Sequence, residues 1–408
     1  MQKTNPTSAA YACTDGGGYH LPEYPFIPPP ELASGAVRRH PIVIVGGGIT
    51  GLTLACSLAW HGVPCVLLDE DNTVGVKGAS SRGICYTQKS LEIFDKLGIY
   101  QRIAAKGIGW SIGRTFAGND EVYAFDLSKQ GDYNLSQQPP FINIQQFYIE
   151  GFLVERIVEL GHADLRWCSK VSAFEQLPDH ARLRVETPAG SYWLEAVHVI
   201  DATGSTTLFH GWCGAVVQAK RGDDRWCIAD VRFKHQPPTE RHTWIEAPFN
   251  DGRAVWQHLM ADNVWRIDYQ MAPNADSAYV SREDVVRERL ARQFGPEVAV
   301  EIVWVGPYGY RSQCVEQMRV GNVFFIGDTA KVVSPFGARG GNTGVSDADN
   351  LAWKLAALNK RLAPLGLLDA YHAERHEAAL ENVQVTNRTA RYLRAPEGIE
   401  RTFRSATI

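Results

Sequence analysis

The sequence has 408 residues, 45% hydrophobic and 21% charged, which is typical of a globular chain long enough for two or three domains. The formal net charge of −4 and the lack of a basic stripe argue against nucleic-acid binding. No apolar run approaches the length of about 18 residues that a membrane span needs, and residues 1–40 lack a signal-peptide pattern.

The cysteines are scattered, and no pair has the C-x-x-C spacing of metal or redox motifs. This usage is typical of reduced, buried thiols in a reducing compartment. We therefore predict a cytoplasmic protein that has no metal site and no membrane partner.

Residues 1–40 form a predicted N-terminal extension with little hydrophobic periodicity. Its segment LPEYPFIPPPEL, at 21–32, is rich in proline and aromatic residues. Such a segment either docks as an extended arm or remains a loose leader, and the sequence leaves both interpretations open.

A βαβ unit follows from Ile42. PIVIV predicts a buried strand, TLACSLAWHG a helix that ends at Gly62, and VPCVLLDED a second buried strand. The stretch GGGITG lies between the first strand and the helix, where a tight turn is needed.

That turn carries a dinucleotide fingerprint. Gly46, Gly48 and Gly51 make G-x-G-x-x-G, and Asp69 ends the second strand. The glycines would let a pyrophosphate approach N–H groups at the helix N-terminus, and the carboxylate suits two ribose hydroxyls. The fingerprint therefore predicts a site for FAD or NAD rather than NADP.

The middle of the chain changes from helices to strands. SLEIFDKLGI within 80–108 and IEGFLVERIVEL at 149–160 predict helices, whereas 109–145 and 165–200 predict strands and turns. Aromatic-rich strands then recur about every ten residues through 215–320. We expect an inserted, mainly antiparallel sheet there.

The stretch FFIGDTAKVVSPFGARGGNTGVSDADNLAWKL, at 324–355, decides between FAD and NAD. Asp328 follows a strand and is placed to hold a ribityl hydroxyl. The loop SPFGARGGN would pass under a flavin ring, and a helix predicted from about Thr343 would direct its N–H groups at that ring. Because a nicotinamide enzyme needs no such return of the chain to its first sheet, the stretch favours FAD.

These elements predict an α/β fold with a Rossmann-like FAD-binding domain of the GR2 type, an inserted antiparallel β-sheet substrate domain and a helical C-terminal tail. The predicted divisions are the extension 1–40, the FAD-binding domain 41–214 with part of the substrate sheet, the substrate-binding sheet 215–320, and a return to the first domain with C-terminal helices over 321–408.

With these motifs the chain, over roughly residues 40–405, resembles the class A flavin-dependent aromatic hydroxylases. These are of the para-hydroxybenzoate hydroxylase and phenol hydroxylase type, and the resemblance is strongest to 3-(3-hydroxyphenyl)propionate hydroxylase-like proteins. It rests on GGGITG, on the Gly-Asp motif GDTAKVVSPFGARGGNTGVSDADNLAWKLA, on Arg82 in SSRGICYTQKSLEIFDKLGI and on Gln146 in QQFYIEGFL.

The resemblance and the motifs together give a set of expected FAD-binding residues. They are Gly46, Gly48, Thr50, Gly51, Asp69, Arg82, Gln146, Val171, Gly204, Asp328, Pro335, Gly340, Gly341 and Asn342.

Two departures from the family pattern stand out. Thr203 replaces the aspartate of the central Asp-Gly motif, and Asp201 lies two residues earlier, which puts nicotinamide handling in doubt. After Gly-Asp the family usually reads Ala-Ala-His, whereas this chain reads Thr-Ala-Lys. Lys331 would then add positive charge near the cofactor. Many relatives also carry a thioredoxin-like C-terminal domain beyond the matched region.

The resemblance implies that NADH or NADPH reduces the bound FAD and that the reduced flavin takes up O2 as a C4a-hydroperoxide. That species would hydroxylate a small phenolic or aromatic-acid substrate, so the implied activity is an NAD(P)H- and O2-dependent monooxygenase of aromatic catabolism. The family also leads us to expect a homodimer.

The strand VWRIDYQM, at 264–271, is the candidate floor of the substrate pocket. Its period of two puts Arg266 and Asp268 on one face and Tyr269 on the other. Relatives place an active-site arginine at the position of Arg266, which would bind a substrate carboxylate, with Asp268 as base. An outward-facing ion pair is the structural alternative.

Three further residues are candidates for proton handling or substrate contact. Tyr269 would relay a phenolic proton and His258 would shuttle protons, although each is also explained as a core residue. The carbonyl of Pro335 would contact the substrate hydroxyl, because proline offers no competing N–H there.

Alternative functions stay open. The alternatives to the phenol hydroxylase are an oxygenase of a polycyclic natural product and an FAD-binding subunit without NAD(P)H turnover, for which Thr203 is the support. A halogenase is disfavoured, because no W-x-W-x-I-P motif is present.

Overall fold

The computed structural model describes residues 19–75, 84–129, 136–393 and 398–407, and within these ranges the strands form three sheets. The strands are β1 (Arg38–Val45), β2 (Cys65–Leu68), β3 (Cys85–Thr87), β4 (Ile108–Gly109), β5 (Ile112–Ala117), β6 (Asp120–Asp126), β7 (Phe141–Asn143), β8 (Ala163–Arg166), β9 (Lys170–Gln176), β10 (Ala181–Thr187), β11 (Gly190–Asp201), β12 (Val217–Phe233), β13 (Arg241–Ala247), β14 (Arg253–Leu259), β15 (Trp265–Met271), β16 (Val300–Val315), β17 (Arg319–Val320), β18 (Val323–Phe325) and β19 (Lys331–Val332).

Helices cover the sheets and make up the C-terminal part of the chain. They are α1 (Pro30–Ser34), α2 (Ile49–Trp60), α3 (Gln88–Leu97), α4 (Tyr100–Lys106), α5 (Gln146–Leu160), α6 (Phe209–Cys213), α7 (Ser277–Val280), α8 (Glu283–Phe294), α9 (Arg339–Asn359), α10 (Asp369–Leu393) and α11 (Ile399–Thr407). Among the described helices, none is both long and apolar enough to cross a bilayer.

The first sheet has the order β17-β18-β11-β1-β2-β8, and the strands from β18 to β8 run parallel. Its central residues, Ile42–Val45 and Cys65–Leu68, are at most 5% exposed. Continuous apolar runs of this kind are typical of a parallel sheet covered on both faces. Helix α2 packs against α5 and α9, so the helix of the fingerprint lies inside the fold.

The second sheet has the order β19-β16-β12-β15-β14-β13-β5-β6 and is antiparallel except where β13 meets β5. Alternate residues point to opposite faces. One face packs on α8, with Ile267 and Tyr269 against Val286 and Leu290. The other face, which carries Asp268, lines a cavity.

The predicted fold class, a Rossmann-like α/β region with an antiparallel sheet and a helical C-terminal segment, is confirmed. Strands β5, β6 and β19 join the second sheet from outside 215–320. The domain boundaries themselves stay a prediction. The helical prediction for SLEIFDKLGI is confirmed by α3, and α4 follows it, but Cys85–Thr87 within the predicted stretch forms a strand that pairs with β7 in the small third sheet. Residues 80–83 lie outside the described residues.

The described part of the N-terminal extension docks on the first sheet. The ring of Tyr24 stacks on that of Trp167 with centroids 4.5 Å apart, and its N–H donates to the Asn72 carbonyl at 2.7 Å. Glu31 in α1 is 1% exposed and its Oε1 lies 3.3 Å from Nη2 of Arg166. From Tyr19 onwards, the chain therefore follows the extended-arm interpretation.

Candidate active site

One large cavity, of about 1010 Å³, is lined by loops of the first sheet and by strands of the second. Most of the expected FAD-binding residues line it, namely Gly46, Gly48, Thr50, Asp69, Gln146, Val171, Gly204, Asp328, Pro335, Gly340, Gly341 and Asn342. Arg82 lies outside the described residues. Gly51 lies within α2, where a Cβ would collide with the carbonyl oxygen of Gly46 at 2.0 Å.

The glycine turn after β1 leaves no room for side chains. Gly46 has φ +109°, and a Cβ there would lie 2.5 Å from the carbonyl oxygen of Ala202 at the end of β11. Only glycine tolerates both the conformation and the close approach. Gly48 caps the N-terminus of α2, so the first N–H groups of that helix face the cavity.

Two carboxylates stand beside this turn. Asp69 Oδ2 accepts a hydrogen bond of 2.5 Å from the N–H of Gly47. Glu150, which sequence reasoning missed, is 1% exposed, and its Oε1 accepts a hydrogen bond of 2.7 Å from Gln146 Nε2. Burial raises the pKa of Glu150 to about 7. The signal for Glu150 was its place one helical turn after Gln146.

The Gly-Asp motif forms a tight turn, Gly327–Thr329, against the same loop. Gly327 has φ +63°, and a Cβ there would lie 2.7 Å from Oγ1 of Thr50. The Gly327 N–H donates to Asp347 at 3.0 Å, and the Thr329 hydroxyl donates to the Asp201 carbonyl at 2.7 Å. These contacts fix the backbone from which Asp328 lines the cavity.

Lys331 does not offer its charge to the cavity, contrary to expectation. Its Nζ donates to Asp347, and the Arg375 Nε donates to the same carboxylate at 2.7 Å. Lys331 and Asp347 are at most 2% exposed. This buried ion pair ties β19 to α9, and the position therefore serves packing.

Helix α9 begins at Arg339, four residues before the predicted Thr343. Its cap is Ala338, whose φ of +55° turns the chain into the helix. Asn342 holds the first turn in place, because its Oδ1 accepts from the Thr87 N–H at 3.0 Å and its Nδ2 donates to the Cys85 carbonyl at 2.9 Å.

Gly340 and Gly341 are consequently helical and line the cavity from the first turn of α9 rather than from a loop. A Cβ on Gly341 would meet no atom within 4 Å. The N-terminal N–H groups of α9 and of α2 therefore face one cavity.

The turn at Thr203 is closed by Asp201. Asp201 Oδ1 accepts from the Thr203 N–H at 3.1 Å and from its hydroxyl at 2.7 Å, and Oδ2 accepts from the Thr207 hydroxyl at 2.6 Å. Asp201 is fully buried, and burial raises its pKa to about 6. Its carboxylate therefore shapes the turn and does not substitute in the cavity for the missing family aspartate.

On the second sheet, the register brings polar residues into one row. Asp230 of β12 is opposite Arg266 of β15, which is opposite His258 of β14. The register that pairs His242 of β13 with Gln257 of β14 puts Arg241 next to His258 in this row. Arg266, His258 and Arg241 line the cavity.

Arg266 is engaged by Asp230. Its Nε lies 2.8 Å from Oδ1 and its Nη2 2.9 Å from Oδ2, and both side chains are at most 2% exposed. The hydroxyl of Tyr19 donates to the same carboxylate at 2.8 Å. The expected substrate arginine is thus committed to a two-point ion pair.

Asp268 and His258 lie side by side, with His258 Nε2 3.9 Å from Asp268 Oδ2. Burial raises the pKa of Asp268 to about 7. Burial, together with the charges of Arg241 and Arg266, holds the pKa of His258 well below its usual value, so the ring is neutral. Within the described residues, His258 Nδ1 has no hydrogen-bond partner.

Tyr269 points away from the cavity. Its hydroxyl donates to Gln293 Oε1 at 2.7 Å, and its ring packs in the core under α8. Burial raises its pKa. The structure therefore does not bring Tyr269 to the other candidates, whereas Arg266, Asp268, His258 and Pro335 line the same cavity.

An aromatic wall, Trp226, Trp256 and Phe336, completes this end of the cavity. The indole rings stack at 4.6 Å and 21°, and Phe336 meets Trp256 edge-on at 4.7 Å. Because Phe336 follows Pro335, the wall lies beside the carbonyl expected to contact a substrate.

The chain fits FAD by its own geometry. Two helix N-termini and two glycine turns open onto one cavity, where phosphates and a planar ring can meet backbone N–H groups. The acidic Asp69 and Asp328 also line this cavity.

Comparison with known proteins gives the same result. An FAD-binding domain family model matches residues 39–386. A flavin-dependent monooxygenase of Mycobacteroides abscessus is 29% identical over 348 residues, covering 83% of this chain and 71% of the relative. A rifampicin monooxygenase of Streptomyces venezuelae is 28% identical, covering 83% and 69%.

The fold matches that of solved structures as well. The crystal structure of p-nitrophenol 4-monooxygenase from Pseudomonas putida aligns with a TM-score of 0.80 at 23% identity, over 91% of this chain and 93% of that one. At this identity the likeness shows the fold. Since the family model covers most of the chain, the protein belongs to the FAD-binding domain family of class A flavin-dependent monooxygenases.

Proposed function

We propose that this protein hydroxylates a phenolic aromatic substrate with O2 and NADH or NADPH as co-substrates. The observation that carries the proposal is that the glycine turns, the Gly-Asp turn and the aromatic wall all face one cavity. A flavin site and a pocket for a planar substrate are therefore contiguous.

The chain would hold FAD with four parts of the cavity. N–H groups at the start of α2 would bind the pyrophosphate and Asp69 the adenosine ribose. Gln146 and Asp328 would hold the ribityl chain, and the first turn of α9 would face the ring. Bound FAD supplies the redox chemistry that activates O2.

The substrate pocket would lie along the aromatic wall. Trp226 and Trp256 offer flat apolar surfaces for a ring and exclude water from it. The Pro335 carbonyl would accept a hydrogen bond from the substrate hydroxyl.

Asp268 and His258 would take and pass on the proton of that hydroxyl, because a carboxyl with a pKa of about 7 changes protonation easily near neutral pH. Removing this proton makes the ring richer in electrons at the carbon that accepts oxygen. Both residues act here through atoms that already line the cavity.

Relatives give a second candidate substrate class. The relative from Streptomyces venezuelae is named for rifampicin, and a relative from Streptomyces halstedii is named as a putative polyketide hydroxylase; both are as similar to this chain as the Mycobacteroides relative is. The same cavity would then accept a polycyclic phenol, and the co-substrates would be unchanged.

The test is oxidation of NADH and NADPH by FAD-loaded protein, with monocyclic phenols, phenolic acids, aminophenols and anhydrotetracycline. Strong stimulation by one class, with one oxygen atom added to the product, is expected. If stoichiometric FAD is bound and no compound stimulates oxidation of either nucleotide, the proposal fails and a subunit without turnover is favoured.

A further inference from the structure

We infer that Arg241 is the anion-binding residue of this cavity and that the substrate is an aromatic compound that bears a carboxylate as well as its ring hydroxyl. This inference rests on the proposed function, because it names the substrate class of the same pocket.

The first observation is that Arg241 lines the cavity without a carboxylate at ion-pair distance among the described residues, although the charge of the more distant Asp268 acts on it. Within the described ranges, its nitrogen atoms have no carboxylate within 4.0 Å and no hydrogen-bond acceptor. The contact that the guanidinium makes is with the ring of Trp110, whose centroid is 5.8 Å from Cζ. A cation taken out of bulk water without a carboxylate is unfavourable unless a ligand completes its hydrogen bonds.

The second observation is a comparison with the other arginines of the cavity. Arg266 is paired with Asp230, and Arg114 is paired with Glu240 at 2.7 Å and with Glu121 at 2.9 Å. Arg339 donates to the amide oxygen of Asn382 at 2.6 Å. Each of these guanidinium groups donates hydrogen bonds to oxygen atoms of the protein, whereas within the described residues that of Arg241 donates none.

The third observation concerns the charge around Arg241. His258 is neutral, and burial raises the pKa of Asp268 to about 7, so this carboxyl is partly protonated at neutral pH. The Asp230–Arg266 pair carries no net charge. The lining of this end is therefore positive when Asp268 is protonated, and an anion is the ligand that balances it.

The fourth observation is the direction from Arg241 to the aromatic wall. Thr243, on the same face of β13, is opposite Trp256 of β14, and Trp256 meets Phe336 beside Pro335. A carboxylate bound by the guanidinium fork would thus place an attached ring along Trp256, with its hydroxyl towards Pro335. Arginine suits a carboxylate, because its planar fork donates two parallel hydrogen bonds.

The experiment measures binding to FAD-loaded protein by calorimetry. The probes are 3-hydroxybenzoate, 4-hydroxyphenylacetate and 3-hydroxy-2-naphthoate, each beside its neutral primary amide. We expect at least one acid to bind more tightly than its amide. Arg241→Met should lower the affinity for that acid by about 10- to 100-fold, because a charge-assisted hydrogen bond is lost. The affinity for the matching amide should change little.

Two variants control the result. Arg241→Lys keeps the charge without the fork and should retain part of the preference for the acid. Arg114→Met removes a cavity arginine that Glu240 and Glu121 already satisfy, and it should leave the acid-to-amide ratio unchanged.

The inference is overturned if wild-type protein binds every amide as well as its acid, if no acid binds, or if Arg241→Met weakens acid and amide alike. Should Arg241→Met fail to fold, the acid-to-amide affinity ratios of the wild-type protein and of Arg241→Lys still test the inference. Acid-selective binding without any NAD(P)H oxidation would contradict the proposed function and leave the role of Arg241 standing.

Discussion

Arg266 and Asp230 form a buried two-point ion pair across β15 and β12, with nitrogen–oxygen distances of 2.8 and 2.9 Å. Arg266 lines the cavity, and the Tyr19 hydroxyl donates a further hydrogen bond to the Asp230 carboxylate. Its geometry is that of a structural ion pair, in contrast to the anion-binding role that we propose for Arg241 on the same face of the sheet.

The first prediction follows from this pair. Arg266→Met leaves the carboxylate of Asp230 buried without its partner, and we expect the free energy of unfolding to fall by about 3–5 kcal/mol. Urea unfolding at saturating FAD measures it. Arg253→Met, which breaks an exposed pair with Asp251, should change stability by less than about 0.5 kcal/mol. A variant as stable as wild type that has lost only acid binding would show that Arg266 serves the substrate instead.

The second prediction concerns the Gly-Asp turn. Asp328→Ala removes the carboxylate proposed to hold the ribityl chain, so the dissociation constant for FAD should rise about 10- to 100-fold. Flavin fluorescence on dilution gives the dissociation constant. Asp369→Ala, at an exposed carboxylate paired with Arg319, is the matched control. Wild-type FAD affinity in the Asp328 variant would exclude this contact.

The third prediction is a pH dependence of stability. The folded-state pKa of Asp268 is raised to about 7, above its ordinary value of 3.8, so the folded protein holds a proton there that the unfolded chain has lost. The contribution of Asp268 to the free energy of unfolding is therefore fully present below about pH 4, and it is lost as the pH rises to about 7. Glu150 and Asp201, with pKa values of about 7 and about 6, act in the same direction.

Melting temperatures of the FAD-loaded protein between pH 5 and pH 8 test this dependence. Asp268→Asn should flatten the decline, because the amide does not titrate, whereas Asp284→Asn at an exposed site should not. An unchanged slope in the Asp268 variant would contradict the assignment.

The fourth prediction concerns Thr203. Thr203→Asp would restore the family residue beside the buried Asp201, and two carboxylates would then lie close together in a partly buried turn. We expect a lower melting temperature and a rise in the pKa of one carboxyl. The double variant Thr203→Asp, Asp201→Asn should recover much of the lost melting temperature, because the contact between two like charges is removed. If the single variant is as stable as wild type and oxidises NAD(P)H faster, Thr203 limits nicotinamide handling directly.

How far the sequence alone predicts this site depends on the range of the interaction. The glycine turn and Asp69 are local features of one βαβ unit, and they line the cavity as expected. The alternation of β15 also predicted that Tyr269 faces away from Arg266 and Asp268, and the structure agrees.

Longer-range features were out of reach. The partner of Arg266 lies 36 positions away on β12, and only the register of β12 and β15 reveals that the pair is closed. Arg241 is brought into the cavity by the pairing of β13 with β14, and within the described residues its guanidinium has no carboxylate within 4.0 Å. Helix α9 starts early because Asn342 bonds to Cys85 and Thr87, which no local propensity encodes.

The hydrogen bond from Tyr19 to Asp230 also bears on how the chain assembles. It joins residues 211 positions apart and links the arm docked on the first sheet to the second sheet. During synthesis, the segment around Tyr19 leaves the ribosome long before Asp230 and Arg266 do. Since contacts of such sequence separation form late, the bond from Tyr19 to Asp230 can form only after β12 is in place, whereas Tyr24 and Glu31 contact the first sheet alone. We therefore expect the arm to dock in two steps, of which the Tyr19 contact is the second.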